Sequence, residues 1–337
     1  NVVFKGNHES NGENRATSNI NAFRVAGKLN WGTPNGTSEY PKIQHFQNTA
    51  GGAGGPIHVN EGGTLNLYCG TLSHNAASRG GAVYATGENA KLNLMGGTIQ
   101  NNSARYGGGA AVAGKAGMEL TGTVIKSNSA TSQGGGICAL DHSSIVMSGG
   151  TISGNKDGAA TNQKLKGGGV GVMTGSSFTM TDGLIGGLSD GDKNSAADGG
   201  GICVTTTTGT HEPCTIELTG GAIKGNNAEN GGGVYVSGVD GKNPSASISG
   251  DVHISGNTAE TYGGGVYLKF SAATISGGTI GGSGTNNIAN SANEGGGVYS
   301  QNSSLVITGG TISGNEASTF GGGVRVFRSN AGIDVPD

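Results

Sequence analysis

A Gly-Gly-Gly triplet, followed in most copies by Val or Ile, recurs along this chain at a nearly fixed interval and constrains its fold more than any other feature. The triplets start at Gly107, Gly134, Gly167, Gly199, Gly231, Gly263, Gly295 and Gly321, preceded by a degenerate Gly80-Gly81-Ala82 and a weaker Gly54-Gly55-Pro56. Successive starts lie either 26–27 or 32–33 residues apart. A period in this range marks a solenoid, in which each repeat is one supersecondary unit stacked on the next. Growth along an axis also removes the need to divide 337 residues into two globular domains.

The repeat beginning at Gly295 shows the unit in its shortest form. Val298 opens a short strand, and after a turn Leu305 and Ile307 face one way while Val306 faces the other. Gly309-Gly310 bends the chain, and Thr311-Ile312 opens a third strand that ends at Asn315. Gly and β-branched residues dominate and no i, i+3, i+4 apolar stripe appears, which excludes a helical repeat. The expected fold is therefore all-β: a right-handed, single-stranded parallel β-helix of about ten rungs, each made of three short strands. Residues 1–50 form an irregular N-terminal rung or rungs with a long insertion, 51–330 the regular repeats, and 331–337 the start of an incomplete rung.

Three inward columns follow. The first strand supplies Val83, Ile137, Val170, Ile202, Val234, Val266, Val298 and Val324; the second supplies pairs such as Leu92/Leu94, Phe178/Met180 and Leu305/Ile307; the third supplies Leu72, Ile99, Ile125, Ile152, Ile185, Ile223, Ile254, Ile280 and Ile312. At ~4.8 Å per rung the rod would be roughly 45–50 Å long. Asparagine makes a further column at Asn75, Asn102, Asn128, Asn155, Asn194, Asn226, Asn257, Asn290 and Asn315. An Asn amide at a sharp corner can bond to the rungs on either side, so this column reads as structural and not as a set of ligands.

Composition narrows the function classes. Charged residues are 12% and the net charge is −3, leaving no basic footprint for nucleic acid or an anionic membrane. No apolar run of about 18 residues occurs, so no membrane-spanning helix is expected. The chain opens on Asn1 without a leader, and its last triplet opens a rung that is not completed. The expectation is a piece of a longer secreted protein.

The pairing of GGG(V/I) with an Ile-x-x-Asn tetrad is carried by Ile152-Ser-Gly-Asn155, Ile223-Lys-Gly-Asn226, Ile254-Ser-Gly-Asn257 and Ile312-Ser-Gly-Asn315, with Phe4-Lys-Gly-Asn7 as an aromatic version. It resembles the GGA(I/L/V) and FxxN repeats of the chlamydial polymorphic membrane proteins, and the adhesin-like β-helix proteins of anaerobic bacteria and methanogens. The resemblance covers roughly residues 45–330 and departs from the polymorphic membrane proteins in lacking a C-terminal barrel within this chain. It implies an extracellular, surface-displayed, adhesive or scaffolding role, with no catalytic residues to carry over.

Function would sit on what decorates the rungs. Five insertions lengthen the unit: Lys156–Lys166, Gly186–Lys193, Thr205–Pro213, Ser237–Ser245 and Gly282–Ala289. Those after the first strand bring His211, Glu212, Asp240 and Lys242 onto adjacent rungs. Glycosidic hydrolysis needs two carboxylates about 5–9.5 Å apart, so Glu212 and Asp240 are the candidate pair if the chain is an enzyme; otherwise they are solvated loop acids. An outward column carries Tyr235, Tyr267 and Tyr299, with Tyr262 and Phe320 just before their own triplets. Such a strip can stack on sugar rings or anchor a protein, or simply cover the strand exterior. Asp190, Asp192 and Asp198 give a weak calcium candidate that lacks the Gly and Glu of an EF-hand loop. No zinc spacing is present, and Cys203 and Cys214 bracket one insertion as a candidate disulfide.

The leading expectation is a non-enzymatic adhesin or display stalk, with no cofactor, that contacts a glycan or a host or bacterial surface protein through its loops and Tyr strip. The alternatives are a self-assembling structural protein whose copies stack end to end, and a polysaccharide lyase or hydrolase.

Overall fold

The computed structural model describes residues 2–5, 21–36, 38–48, 54–158, 166–206, 212–239, 241, 243–282 and 288–328. Every regular element among them is a β-strand, and the ladders between named strands run parallel, as one chain wound into a solenoid requires. The first strand of each rung enters an 11-stranded sheet, here the triplet sheet, which runs from Phe23–Val25 to Val324–Phe327. The second and third strands both enter a 17-stranded broad sheet.

The rung contains one strand more than the sequence pattern suggests. In the rung of Val83 the strands are Val83–Thr86, Lys91–Leu94, Thr98–Gln100 and, beyond the asparagine corner, Ser103–Tyr106. These corner strands form two further sheets of five. Their polar sequences look like loop, but six of them bury an Ala: Ala77, Ala104, Ala130, Ala228, Ala259 and Ala292. In four rungs the second and third strands run together through the bend, which is Gly-Gly in three, as in Ser144–Ser153 and Ala272–Gly281, and Asp182-Gly183 in Ser177–Gly186.

The triplet joins a corner strand to the triplet sheet where neighbouring rungs approach most closely. Gly231 has φ +62°, a conformation unfavourable to L side chains. A methyl group on Gly232 would stand 2.5 Å from the carbonyl oxygen of Thr258, and one on Gly233 would stand 2.6 Å from that of Gly265. The first glycine answers to dihedral angle and the other two to contact with the next rung.

Residues in the first fifty add to the same stack. Val3–Lys5 pairs with Lys42–Gln44, Phe23–Val25 with Ile57–Val59, and Lys28–Trp31 with Thr64–Leu67. Phe4, Phe23 and Trp31 pack their rings 5.2–5.8 Å apart at this end of the core. Residues 331–337 lie outside the described residues.

Inside, one continuous apolar column runs from Val25 and Trp31 to Leu305. Beside it runs a ladder of asparagine. From Asn75 to Asn290, each Nδ2 donates to the Oδ1 of the Asn one rung on, at 2.9–3.1 Å. The same Nδ2 donates to a carbonyl one rung back, as Asn257 does to Ile223 at 2.9 Å. Backbone N–H groups of most members also donate to the next Oδ1. The amide therefore satisfies polar groups on both neighbouring rungs where no water reaches.

Asn257→Ala would strip the acceptor from both donors of Asn226 and the donor from Ile223 O. Leaving buried groups unpaired costs ~1–3 kcal/mol each, so a loss of about 3 kcal/mol or more is expected in urea unfolding. Asn315→Ala, at a partly buried end of the ladder, should cost visibly less.

Candidate functional site

Corner sheet and triplet sheet meet at an angle, forming a crook on the outside of the solenoid. Its floor is the outward column of the triplet sheet and its rim is the residue preceding each triplet. The sequence marks this floor as an outward aromatic strip; the structure covers it. Tyr235, Tyr267 and Tyr299 are only 6%, 3% and 3% exposed, because the bend folds the rim over them. Tyr235–Tyr267 and Tyr267–Tyr299 meet edge to face at 5.1 and 5.2 Å, and Tyr262 stacks on Tyr299 at 4.6 Å. With Cys203, and with Tyr262 and Phe327 packed alongside, they form a second apolar cluster outside the main core. Burial pushes the Tyr235 and Tyr267 hydroxyls well above the usual phenol range. Phe320, by contrast, is 55% exposed, with Arg325 over its ring.

Glu212 is exposed, while Asp240, His211 and Lys242 lie outside the described residues. Among the described residues no three His, Cys, Asp or Glu side chains come together to hold a metal. Asp190 instead pairs with Lys193 at 2.7 Å, which holds its carboxyl below the ordinary range. Asp192 packs its Cβ against Gly187, and Asp198 accepts a hydrogen bond from Asn230 Nδ2 at 3.0 Å.

The proposed disulfide is absent: Cys203 and Cys214 are both free thiols. Their faces explain it. Cys203 points outward into the tyrosine cluster, whereas Cys214 points into the main core, so the sheet itself separates the sulfurs. Burial raises both thiols, and that of Cys138, above their usual range.

Two insertions that sequence leaves scattered converge on one corner. The Gly186–Lys193 loop rests on Gly154 below and Gly225 above, and the segment from Gly282 packs against Gly314. Between them, a methyl group on Gly256 would stand 3.3 Å from Leu188 Cδ2 and 3.4 Å from Ile288 Cβ. Leu188 and Ile288 are 45% and 48% exposed, the most prominent apolar side chains on this flank. Both were readable as apolar residues inside polar insertions, but spacing alone could not show that they share a surface.

The corner position before each Asn reveals why glycine appears there. His74, Asn101 and Ser127 occupy it with φ of 56°, 53° and 53°, so glycine is not demanded by the backbone. Glycine appears where a loop lies on top: Cβ at Gly225 would meet Gly187 O at 2.1 Å. Gly225→Ala should therefore cost about 2–4 kcal/mol through overpacking and left-handed strain, and should raise protease cleavage within 186–193. Ser127→Ala should leave proteolysis unchanged. The thiols give a second check: the native chain should react negligibly with a disulfide thiol reagent and should release four equivalents once unfolded.

Compared with protein-family models, with curated proteins and with solved structures, the chain matches none.

Proposed function

We propose that this chain is a non-enzymatic extracellular rod, an adhesin or display stalk, that engages its partner through the paired insertions. The observation that carries this reading is the convergence of Leu188 and Ile288 on the Gly225–Gly256 corner, where two loops from rungs well apart in sequence present one apolar contact on an otherwise polar flank. Aliphatic anchors with a polar rim suit a protein or the apolar face of a glycan better than a charged ligand. The unbroken axial hydrogen-bonding of eleven parallel triplet strands favours a stiff spacer of about 48 Å.

The polysaccharide-cleaving alternative draws no support from the described residues, where Glu212 stands exposed in its loop.

The test is adhesion of chain-coated beads to a panel of bacterial cells, host cells and immobilised polysaccharides. The wild type should bind at least one surface, and the double variant Leu188→Asp/Ile288→Asp should lose about tenfold or more, as removal of central apolar anchors does. Equal binding by a folded double variant would move the contact elsewhere, and depolymerisation of any polysaccharide would replace the reading with the enzymatic one.

A further inference from the structure

We propose that two copies of this chain pair side by side and antiparallel, the basic corner sheet of each lying on the acidic corner sheet of the other.

The charge of the chain is divided along its axis. Residues 1–166 hold 13 Lys and Arg against 8 Asp and Glu, a net of +5, whereas residues 167–337 hold 6 against 14, a net of −8. The two five-stranded corner sheets divide at the same place. The first ends on Lys156–Asp157 and carries Arg79, Arg105 and Lys156 against a single acid, Asp157. The second begins on Ser195–Asp198 and carries Asp198, Glu229, Glu260, Glu294 and Glu316 with no base. Both follow the same corner of the rung, so they occupy one flank of the rod.

Alternation aims the decisive side chains away from the core. Ala104 and Ala259 are buried, so Arg105 and Glu260, next along their strands, point to the other face. Both are exposed, as are Lys126 at the corner before the fourth strand, Lys156 and Glu316. Among the described residues no ion pair engages any of these five. Arg105 lies over the Tyr106 ring at 5.1 Å, which holds its charge against the sheet. Acids on in-register strands ~4.8 Å apart repel one another, and an opposing basic surface relieves that repulsion.

The order of the charges selects the partner. Ten corner strands follow one another along the rod, and the split falls after the fifth. A two-fold axis parallel to the strands at this split lays the third strand of one copy on the eighth of the other. Arg105 then meets Glu260 of the second copy, and by symmetry the same contact forms twice. Lys156, on the fifth strand, faces the sixth, Ser195–Asp198, with Glu229 one rung beyond. Rods laid parallel would instead set acid on acid. Corner turns beside the basic strands, at His74, Asn101 and Ser127, carry no insertion, so the loops of one copy meet a plain corner of the other. Ten strands about four residues wide offer roughly 600 Å² per copy, below the ~800 Å² of a standard interface. The pair is therefore weak, held chiefly by charge, and salt-sensitive.

Sedimentation velocity of the full chain over a concentration series is the test. In about 0.01 M salt the mass should rise from one chain to two and stop there; in about 1 M salt, where the Debye length falls from ~30 to ~3 Å, the chain should stay single. Arg105→Glu and Glu260→Lys should each weaken pairing by about tenfold or more. An equimolar mixture of the two should restore it, because each variant then supplies the charge that the other lacks. A single chain at low salt and millimolar concentration would overturn the proposal. So would pairing that survives high salt, mass that grows beyond two chains, or a mixture of the two variants, each with a wild-type thermal melt, that fails to pair. The salt series uses the wild type alone, so misfolding of a variant does not remove the test.

Discussion

Rungs stacked at one fixed spacing place every side chain against its own equivalents, and the buried asparagine ladder is the contact on which that stacking depends. Each amide must donate forward and backward while its oxygen accepts from behind, so a member cannot be exchanged without orphaning groups on two other rungs. The outside of the broad sheet offers a control. There Asn30, Asn66 and Asn93 also form a ladder, with Asn93 donating to Asn66 and Asn66 to Asn30 at 2.8 Å. It gives way at once to Glu119, Val146 and Thr179. Water can serve the next rung on that face, whereas nothing else can serve it at the corner. The corner ladder is buried at every member from Asn75 to Asn290, whereas the outer one is buried only at Asn66.

The crook shows how a repeat absorbs variation without losing register. Along its floor the residue changes from Tyr84 to Ala111, Cys138, Gly171, Cys203 and then three tyrosines. Rim residues compensate. Arg79 Nη1 donates to the hydroxyl of Tyr84 at 3.0 Å, Gln133 extends over the space that Gly171 leaves, and Tyr262 stacks on Tyr299. Volume is conserved by pairs of positions on neighbouring rungs, so packing stays dense while no single column stays constant.

This is also why fold and site were unequally legible. Triplets, inward aliphatics and Asn corners are set by contacts of each residue with its own copies, and such contacts leave a period in the sequence. The fourth strand was hidden because its alternation runs through Ala and Ser, which carry little apolar signal. The tyrosine column lies on the outward face of the triplet sheet, yet its burial depends on a crook between two sheets, a property of curvature that spacing does not record. Likewise Cys203 and Cys214 are close in sequence but are assigned opposite faces by the strand's period of two. Leu188 and Ile288 are about a hundred residues apart, and their meeting over Gly256 follows from rung count plus loop direction, of which only the first can be read from the chain.

Direction along the axis is the remaining consequence of the ladder. Because each Asn donates toward higher residue numbers and accepts from lower ones, the two ends of the column are chemically different. On the low-numbered side Phe46 replaces the amide, while Val3–Lys5 still stacks on Lys42–Gln44 beyond it and the Phe4, Phe23 and Trp31 rings pack together. At the high end Asn315 still accepts from Asn290, and Ile312 and Val324 are only partly covered within the described residues. The ladder that fixes register within the chain thus also selects what can occupy the corner: an Asn completes the donors and the acceptor, whereas Phe46 contributes only its backbone N–H.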